Sequence, residues 1–189
     1  MCLLPARSFL FNQSPRWTVN RLGTRRRLAK NLQSWVYETG SLTQRLRAEY
    51  GAGVAVQVLF AQWRTPFINE TQRLHLPAQR YSFIREVLLH IDDKPLILAR
   101  TVLPQATIDM AKHTLSNLGT RPLGEVIFSY PNLARLETDI CCISPHQWTP
   151  QLHQKTPIAE QISGRRTVYA IEQQTMLVSE FFMPDALRC

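Results

Sequence analysis

The chain has no apolar run approaching the roughly 18 residues that a membrane-spanning helix needs, so no membrane span is expected. It has no C-x-x-C pair, and its 4 cysteines and 5 histidines are scattered. Cys142 with His146 and His153 comes nearest to a metal cluster, yet falls short of the grouped ligands of a zinc site. No metal is therefore expected. Adjacent Cys141 and Cys142 would alternate to opposite faces of a strand, and for these two with Cys2 and Cys189 free buried thiols in a reducing compartment, rather than disulfides, are the expectation. A continuous apolar signal core and a small-residue cleavage site are also missing, which argues against secretion. No internal repeat is visible.

Acidic residues are absent from residues 1–37, which carry Arg7, Arg16, Arg21, Arg25, Arg26, Arg27 and Lys30. Those seven of the 22 basic residues account for nearly all of the net charge of +8. The high isoelectric point thus describes the N-terminal arm and not the body, and it points only weakly to nucleic acid. Such an Arg-rich, acid-free stretch also resembles a transit peptide, and Arg25-Arg26-Arg27 could touch a phosphate backbone, although a run of three is short. A solvated, surface-exposed lead-in with one short helix near Leu28 to Tyr37 is the plainest reading. Residues 1–30 are accordingly expected to form a dispensable basic arm, and 31–189 a single domain with one sizeable core.

The stretch around which the rest is organised is Tyr81 to Pro104, YSFIREVLLHIDDKPLILARTVLP. Both arms are rich in branched apolar residues and the middle, Asp92-Asp93-Lys94-Pro95, is turn chemistry, so it reads as two paired strands. Side chains alternate along a strand, placing Phe83, Arg85, Val87, Leu89 and Ile91 on one face. Pairing of Ile91 with Leu96 would add Leu96, Leu98, Arg100 and Val102 to it. Two arginines would then share an apolar row. A buried unpaired guanidinium is costly, so such a face must offer a carboxylate, a wet cavity or an anionic ligand.

Elsewhere, Asn31 to Tyr50 reads as helix, broken at Thr39-Gly40, with Ser41 or Thr43 capping the second piece. Val54 to Phe60 is a β-branched strand continuing through Gln62 and Trp63. Thr65 to Gln79 is a connector or a short helical flap. Thr107 to Leu118 follows as a helix, with Ile108, Ala111, Leu115 and Leu118 at helical spacing and Gly119 past its end. Arg121 to Gly124 is a tight loop. Leu133 to Ile143 alternates as a strand. Ser144 to Gln161, with three prolines, reads as a long mobile loop. Arg165 to Ile171 and Thr175 to Met183 form a final strand pair turning near Glu172 to Gln174. In that last strand Met176, Val178, Glu180 and Phe182 share a face, so a carboxylate also sits in an apolar row. A structural ion pair with Arg100 or Arg165 would explain it; so would a closed pocket for a compact anion with a polar group at its far end.

These blocks together resemble the chorismate lyase family: Gly40-Ser41-Leu42-Thr43 with Arg45-Leu46, Ile84 to Leu89, Ala99-Arg100-Thr101-Val102 with Pro104, Leu118-Gly119 with Pro122-Leu123-Gly124 and Phe128, Gly164-Arg165-Arg166, and Ser179 to Pro184. They run in the family's order from about Trp35 to Pro184. The resemblance implies an α+β fold, a single antiparallel sheet covered by helices, with the ligand sealed between sheet and helical flaps. It implies conversion of chorismate to 4-hydroxybenzoate and pyruvate without a cofactor, toward the ubiquinone head group, by a cytoplasmic monomer with no nucleic-acid partner. Residue by residue it carries ligand contacts onto Leu42, Arg85, Leu123 and Glu180, with Arg85 and Glu180 as the catalytic pair. Leu42 stands where some relatives have methionine. The segment Ser144 to Gln161 looks longer than usual, and Ile162 stands where an aromatic is often found.

Arg85 would grip a carboxylate bidentately. A protonated Glu180 would donate to the ether oxygen or meet the product's hydroxyl, and the N–H near Leu123 would add a donor. The rival reading is an effector-sensing module of the same fold, as in bacterial transcription regulators. Those modules normally follow a winged-helix domain, for which residues 1–35 are too short. A third reading, a nucleic-acid protein led by the arm, rests on the arm's charge alone.

Overall fold

A computed structural model describes residues 7–20, 28 and 30–187, the side chains of Asp185 and Leu187 excepted. The expectations for Arg25-Arg26-Arg27, Cys2 and Cys189 lie outside the described residues.

The centre is the expected hairpin. Strands β3 (Ser82–Ile91) and β4 (Lys94–Pro104) turn at Asp92-Asp93, where Asp92 takes a φ of 47°. They belong to one seven-stranded antiparallel sheet in the order β1-β5-β6-β7-β4-β3-β2. Its other strands are β1 (Thr18–Val19), β2 (Ala55–Arg64), β5 (Ala134–Ile143), β6 (Ile162–Ile171) and β7 (Gln174–Phe182). The two residues between β6 and β7, Glu172 and Gln173, have φ of 47° and 68°, the positive values that a two-residue hairpin loop uses to match strand twist.

The hairpin register differs from the expected one. Ile91 pairs with Lys94 and His90 with Pro95, but Leu89 pairs with Ile97, so Leu96 is an extra residue in β4. Pro95 has no N–H to donate, and a bulge beside it is where a strand tolerates that. The slip puts Arg85 opposite Thr101 and Glu86 opposite Arg100. Arg100 therefore lies on the other face of the sheet from Arg85, which corrects the shared row. There its Nε and Nη2 donate to Glu70 at 2.7 and 2.9 Å and its Nη1 to Glu86 at 2.6 Å. A one-residue shift thus gives one arginine two buried acids and, among the described residues, leaves the other without any.

Each face carries helices. On the Arg85 face lie α1 (Lys30–Val36), α2 (Leu42–Tyr50), α4 (Gln105–Met110) and α5 (Leu123–Ile127). Trp35, Val36 and Leu46 pack there on Val87 and Leu89, and Ile108 and Ile127 on Leu103 and Val178. On the Arg100 face lie α3 (Ile68–Arg73) and α6 (Pro150–Lys155). Among the described residues no helix is long and apolar enough to cross a membrane.

Three further expectations are corrected. The helix from Thr107 ends at Met110, because Lys112 and His113 adopt φ of 47° and 61° and the chain folds back to bury Leu115 and Leu118. Ser144 to Gln161 is not a mobile loop. Thr149 caps α6 by accepting from Leu152 N, Pro150 takes the first helical turn, and Trp148 and Leu152 are fully buried. The N-terminal arm is not merely a solvated lead-in. Leu10 and Phe11 are buried against Phe181 and Trp148, while Ser8 Oγ and Phe9 N both donate to Glu86 at 2.5 Å. The arm's summed charge concealed the apolar Phe9-Leu10-Phe11 within it.

Candidate active site

A rung of the sheet runs through Val87, Ala99, Glu180 and Arg165; the next one occupied on this face runs through Arg85, Thr101, Val178 and Thr167. Small Ala99 and Thr101, set among Val, Leu and Ile, lower the floor of the sheet there. A cavity stands over them, bounded by Arg85, Glu180 and Tyr169 and roofed by Leu42 of α2 and Leu123 of α5. All four sequence-predicted site residues, Leu42, Arg85, Leu123 and Glu180, line this one cavity. From strand spacing and rise, the Arg85 and Glu180 backbones stand about 12 Å apart.

The roof is made by two helix starts. Ser41 caps α2, its hydroxyl accepting from Gln44 N. Pro122 precedes α5, whose first turn has no side-chain cap. The two meet at Gly124, where an added Cβ would lie 2.9 Å from Ser41 Oγ. An Arg47–Glu125 ion pair joins them further out. Glycine at 124 thus lets the two lids close on one another.

At one end, Arg85 is 4% exposed. Its Nη2 donates to Gly119 O and Arg121 O, both at 3.0 Å, and among the described residues it has no acid partner. Burial pushes its guanidinium down to about 10, still charged at neutral pH. A cation kept in an apolar cavity, with Nε and Nη1 free of described partners, is a receptor for an anion. At the other end Glu180 is paired, as one sequence alternative had it, with Arg165: Nε to Oε2 is 2.6 Å. In that contact Glu180 Oε2 is an acceptor, which leaves Oε1 as the atom that could meet a ligand. Arg100, the other candidate partner, is turned away on the opposite face.

Sequence reasoning missed Tyr169. Its hydroxyl accepts from Arg135 Nη2 at 2.9 Å and its ring meets Phe128 edge-on. Burial, then the nearby Glu180 charge, pushes the phenol up. Its signal was available: Arg165, Thr167 and Tyr169 alternate onto the cavity face of β6. Among the described residues no group of three or more His, Cys, Asp or Glu could hold a metal ion. Cys141 and Cys142 are both free thiols, but only Cys141 is buried; Cys142 faces solvent, which corrects the expected burial for it.

Comparison with known proteins agrees with this geometry. The family model described as chorismate lyase matches residues 19–187. A protein of Methylococcus capsulatus named "Probable chorismate pyruvate-lyase" is 38% identical over 156 residues, covering 82% of this chain and 96% of its own. One of the same name from Hydrogenovibrio crunogenus is 29% identical over 98% of this chain and all of its own length. Among solved structures, a GntR-family regulator of Bacillus cereus superposes with a TM-score of 0.53 at 14% identity, over 71% of this chain and 94% of its own. The PhnF C-terminal domain gives 0.54 at 14% identity, over 73% and 87%. These structural likenesses establish the fold alone. With the family model spanning nearly the whole described chain, and with all four of its expected ligand contacts gathered on one cavity, the chain belongs to the chorismate lyase family.

Proposed function

We propose that this protein eliminates pyruvate from chorismate to give 4-hydroxybenzoate, without a cofactor, in the cytoplasm and as a monomer, supplying the aromatic head group of ubiquinone. One observation carries this reading: one cavity with a buried guanidinium that has no acid partner among the described residues at one end and a carboxylate held by Arg165 at the other. A ring bearing a carboxylate and, across from it, a hydroxyl matches those ends in charge and spacing.

Chorismate's ring carboxylate would lie on Arg85, whose planar fork fixes a carboxylate bidentately, with the Leu123 N–H as a further donor at the start of α5. The C4 hydroxyl would then point to Glu180 and the Tyr169 phenol. In the reaction the C3–O bond breaks, the C4 proton leaves the ring, and the released enolpyruvate gains a proton at its methylene carbon to become pyruvate. Aromatisation supplies the driving force. The chain's part is to hold the reactive conformer in a dry space and to orient the C4 hydroxyl against a carboxylate acceptor. Leu42 and Leu123 exclude water from above.

The test is a spectrophotometric assay with chorismate alone, following 4-hydroxybenzoate absorbance. Turnover by the purified protein is the expected result. Tight binding of a small aromatic acid with no turnover of chorismate would instead favour the effector-sensing module.

A further inference from the structure

Arg165 is 1% exposed and bonded at both ends of its guanidinium. Nε donates to Glu180 Oε2 at 2.6 Å, while Nη1 donates to Val36 O at 3.0 Å and Glu38 O at 2.6 Å, at the C-terminus of α1. Glu180 Oε1 is left without a described partner on the cavity that Glu180 lines. Glu38 O also accepts from Arg135 at 2.9 Å, and that same Nη2 holds the Tyr169 hydroxyl. Both polar side chains of this end of the cavity are therefore tied, through two arginines, to one backbone carbonyl. Three residues later the chain enters Ser41 and the α2 lid.

We propose that Arg165 is a positioning residue and a determinant of specificity. By occupying one oxygen of Glu180 and fixing its own far end on the α1 carbonyls, it holds the other oxygen ready for the ligand's ring hydroxyl. This deepens the chorismate lyase reading and rests on it. A buried ion pair is on balance a weak source of stability, and an apolar pair of equal volume would hold the sheet as well. What an apolar pair cannot supply is a fixed acceptor in a site that must recognise a hydroxyl. Such sites discriminate strongly against ligands that lack the group, because a buried acceptor is then left unpaired.

The experiment measures, by calorimetry, the affinity of 4-hydroxybenzoate and of benzoate for the wild type, Arg165→Gln, Arg165→Lys and Glu180→Ala. Benzoate keeps the carboxylate for Arg85 and lacks the hydroxyl. The wild type is expected to prefer 4-hydroxybenzoate at least tenfold. Arg165→Gln should cut that preference to threefold or less while benzoate affinity stays within threefold, and the chorismate kcat should fall more than KM changes. Arg165→Lys should be intermediate, because an ammonium cannot hold carboxylate and carbonyls in one fork. Adding Arg165→Gln to Glu180→Ala should lower the preference no further. If the Gln variant does not fold, the Lys variant carries the comparison. A preference unchanged in the folded variants, or an equal loss for both ligands, overturns the proposal. A wild type that turns over no chorismate and binds neither acid overturns the site reading itself, and this proposal with it.

Discussion

Arg85 and Glu180 sit in the same cavity yet should respond oppositely to truncation. Arg85 has no acid partner among the described residues, and its lowered folded value means that the charged form destabilises the empty protein at every pH below about 10. That penalty is complete at neutral pH and lifts only as pH rises through about 10 toward the ordinary arginine range. Arg85→Ala should therefore leave the Tm of the ligand-free protein unchanged or raise it. It should weaken 4-hydroxybenzoate binding by about 2–5 kcal/mol, with Arg85→Lys recovering part. Glu180→Ala strands the Arg165 cation and should cost about 3–5 kcal/mol of stability. Thermal melts with and without 4-hydroxybenzoate check both, and a large Tm loss for Arg85→Ala alone would contradict the picture of a site strained for function. Both residues were legible in the sequence because a charge in an alternating apolar row is conspicuous. Arg100 was equally conspicuous and misplaced, since one bulge residue at Leu96 exchanges faces and periodicity alone cannot see it.

At the scale of elements, two glycines carry the fit. An added Cβ at Gly164 would stand 2.5 Å from the Phe181 ring, inside the cluster beneath β6. Gly164→Ala should destabilise by about 1–3 kcal/mol through overpacking, or roughly 2–4 °C of Tm per kcal/mol for a chain of this size. Gly124→Ala meets the Ser41 hydroxyl at 2.9 Å, the group that caps α2, and can be accommodated only by a shift of the two helix starts. Its effect should fall on the lids: a small change in Tm, and a loss of chorismate kcat/KM of tenfold or more. Equal effects of the two substitutions on turnover would deny the lids a role. Strands and the capped α2 were readable because their signals are local. The early end of α4 and the order of Ser144 to Gln161 were not, because Leu115, Trp148 and Leu152 are held by partners distant in sequence, and tertiary packing overrode local breaker signals.

For the whole molecule, the N-terminal segment changes from accessory to structural. Removing residues 1–30 would strip Glu86 of the Ser8, Phe9 and Leu10 donors and uncover the pocket filled by Leu10 and Phe11. The truncated chain is now expected to be insoluble or to melt at least 10 °C lower, where composition alone had suggested indifference; an unaffected melt would restore that view. Turnover should survive a strong chelator, and loss with EDTA reversed by Mg²⁺ or Zn²⁺ would contradict cofactor-free chemistry. The central claim is that one cavity, with Arg85 and Glu180 at its ends, is where chorismate reacts. Its most direct test is chorismate turnover, with 4-hydroxybenzoate affinity measured in parallel, for the wild type, Arg85→Ala and Glu180→Ala. The account predicts turnover by the wild type and a loss of tenfold or more (about 1.4 kcal/mol or more) in both quantities for each variant that remains folded. Near-normal turnover and affinity in both variants would contradict it and place the site elsewhere.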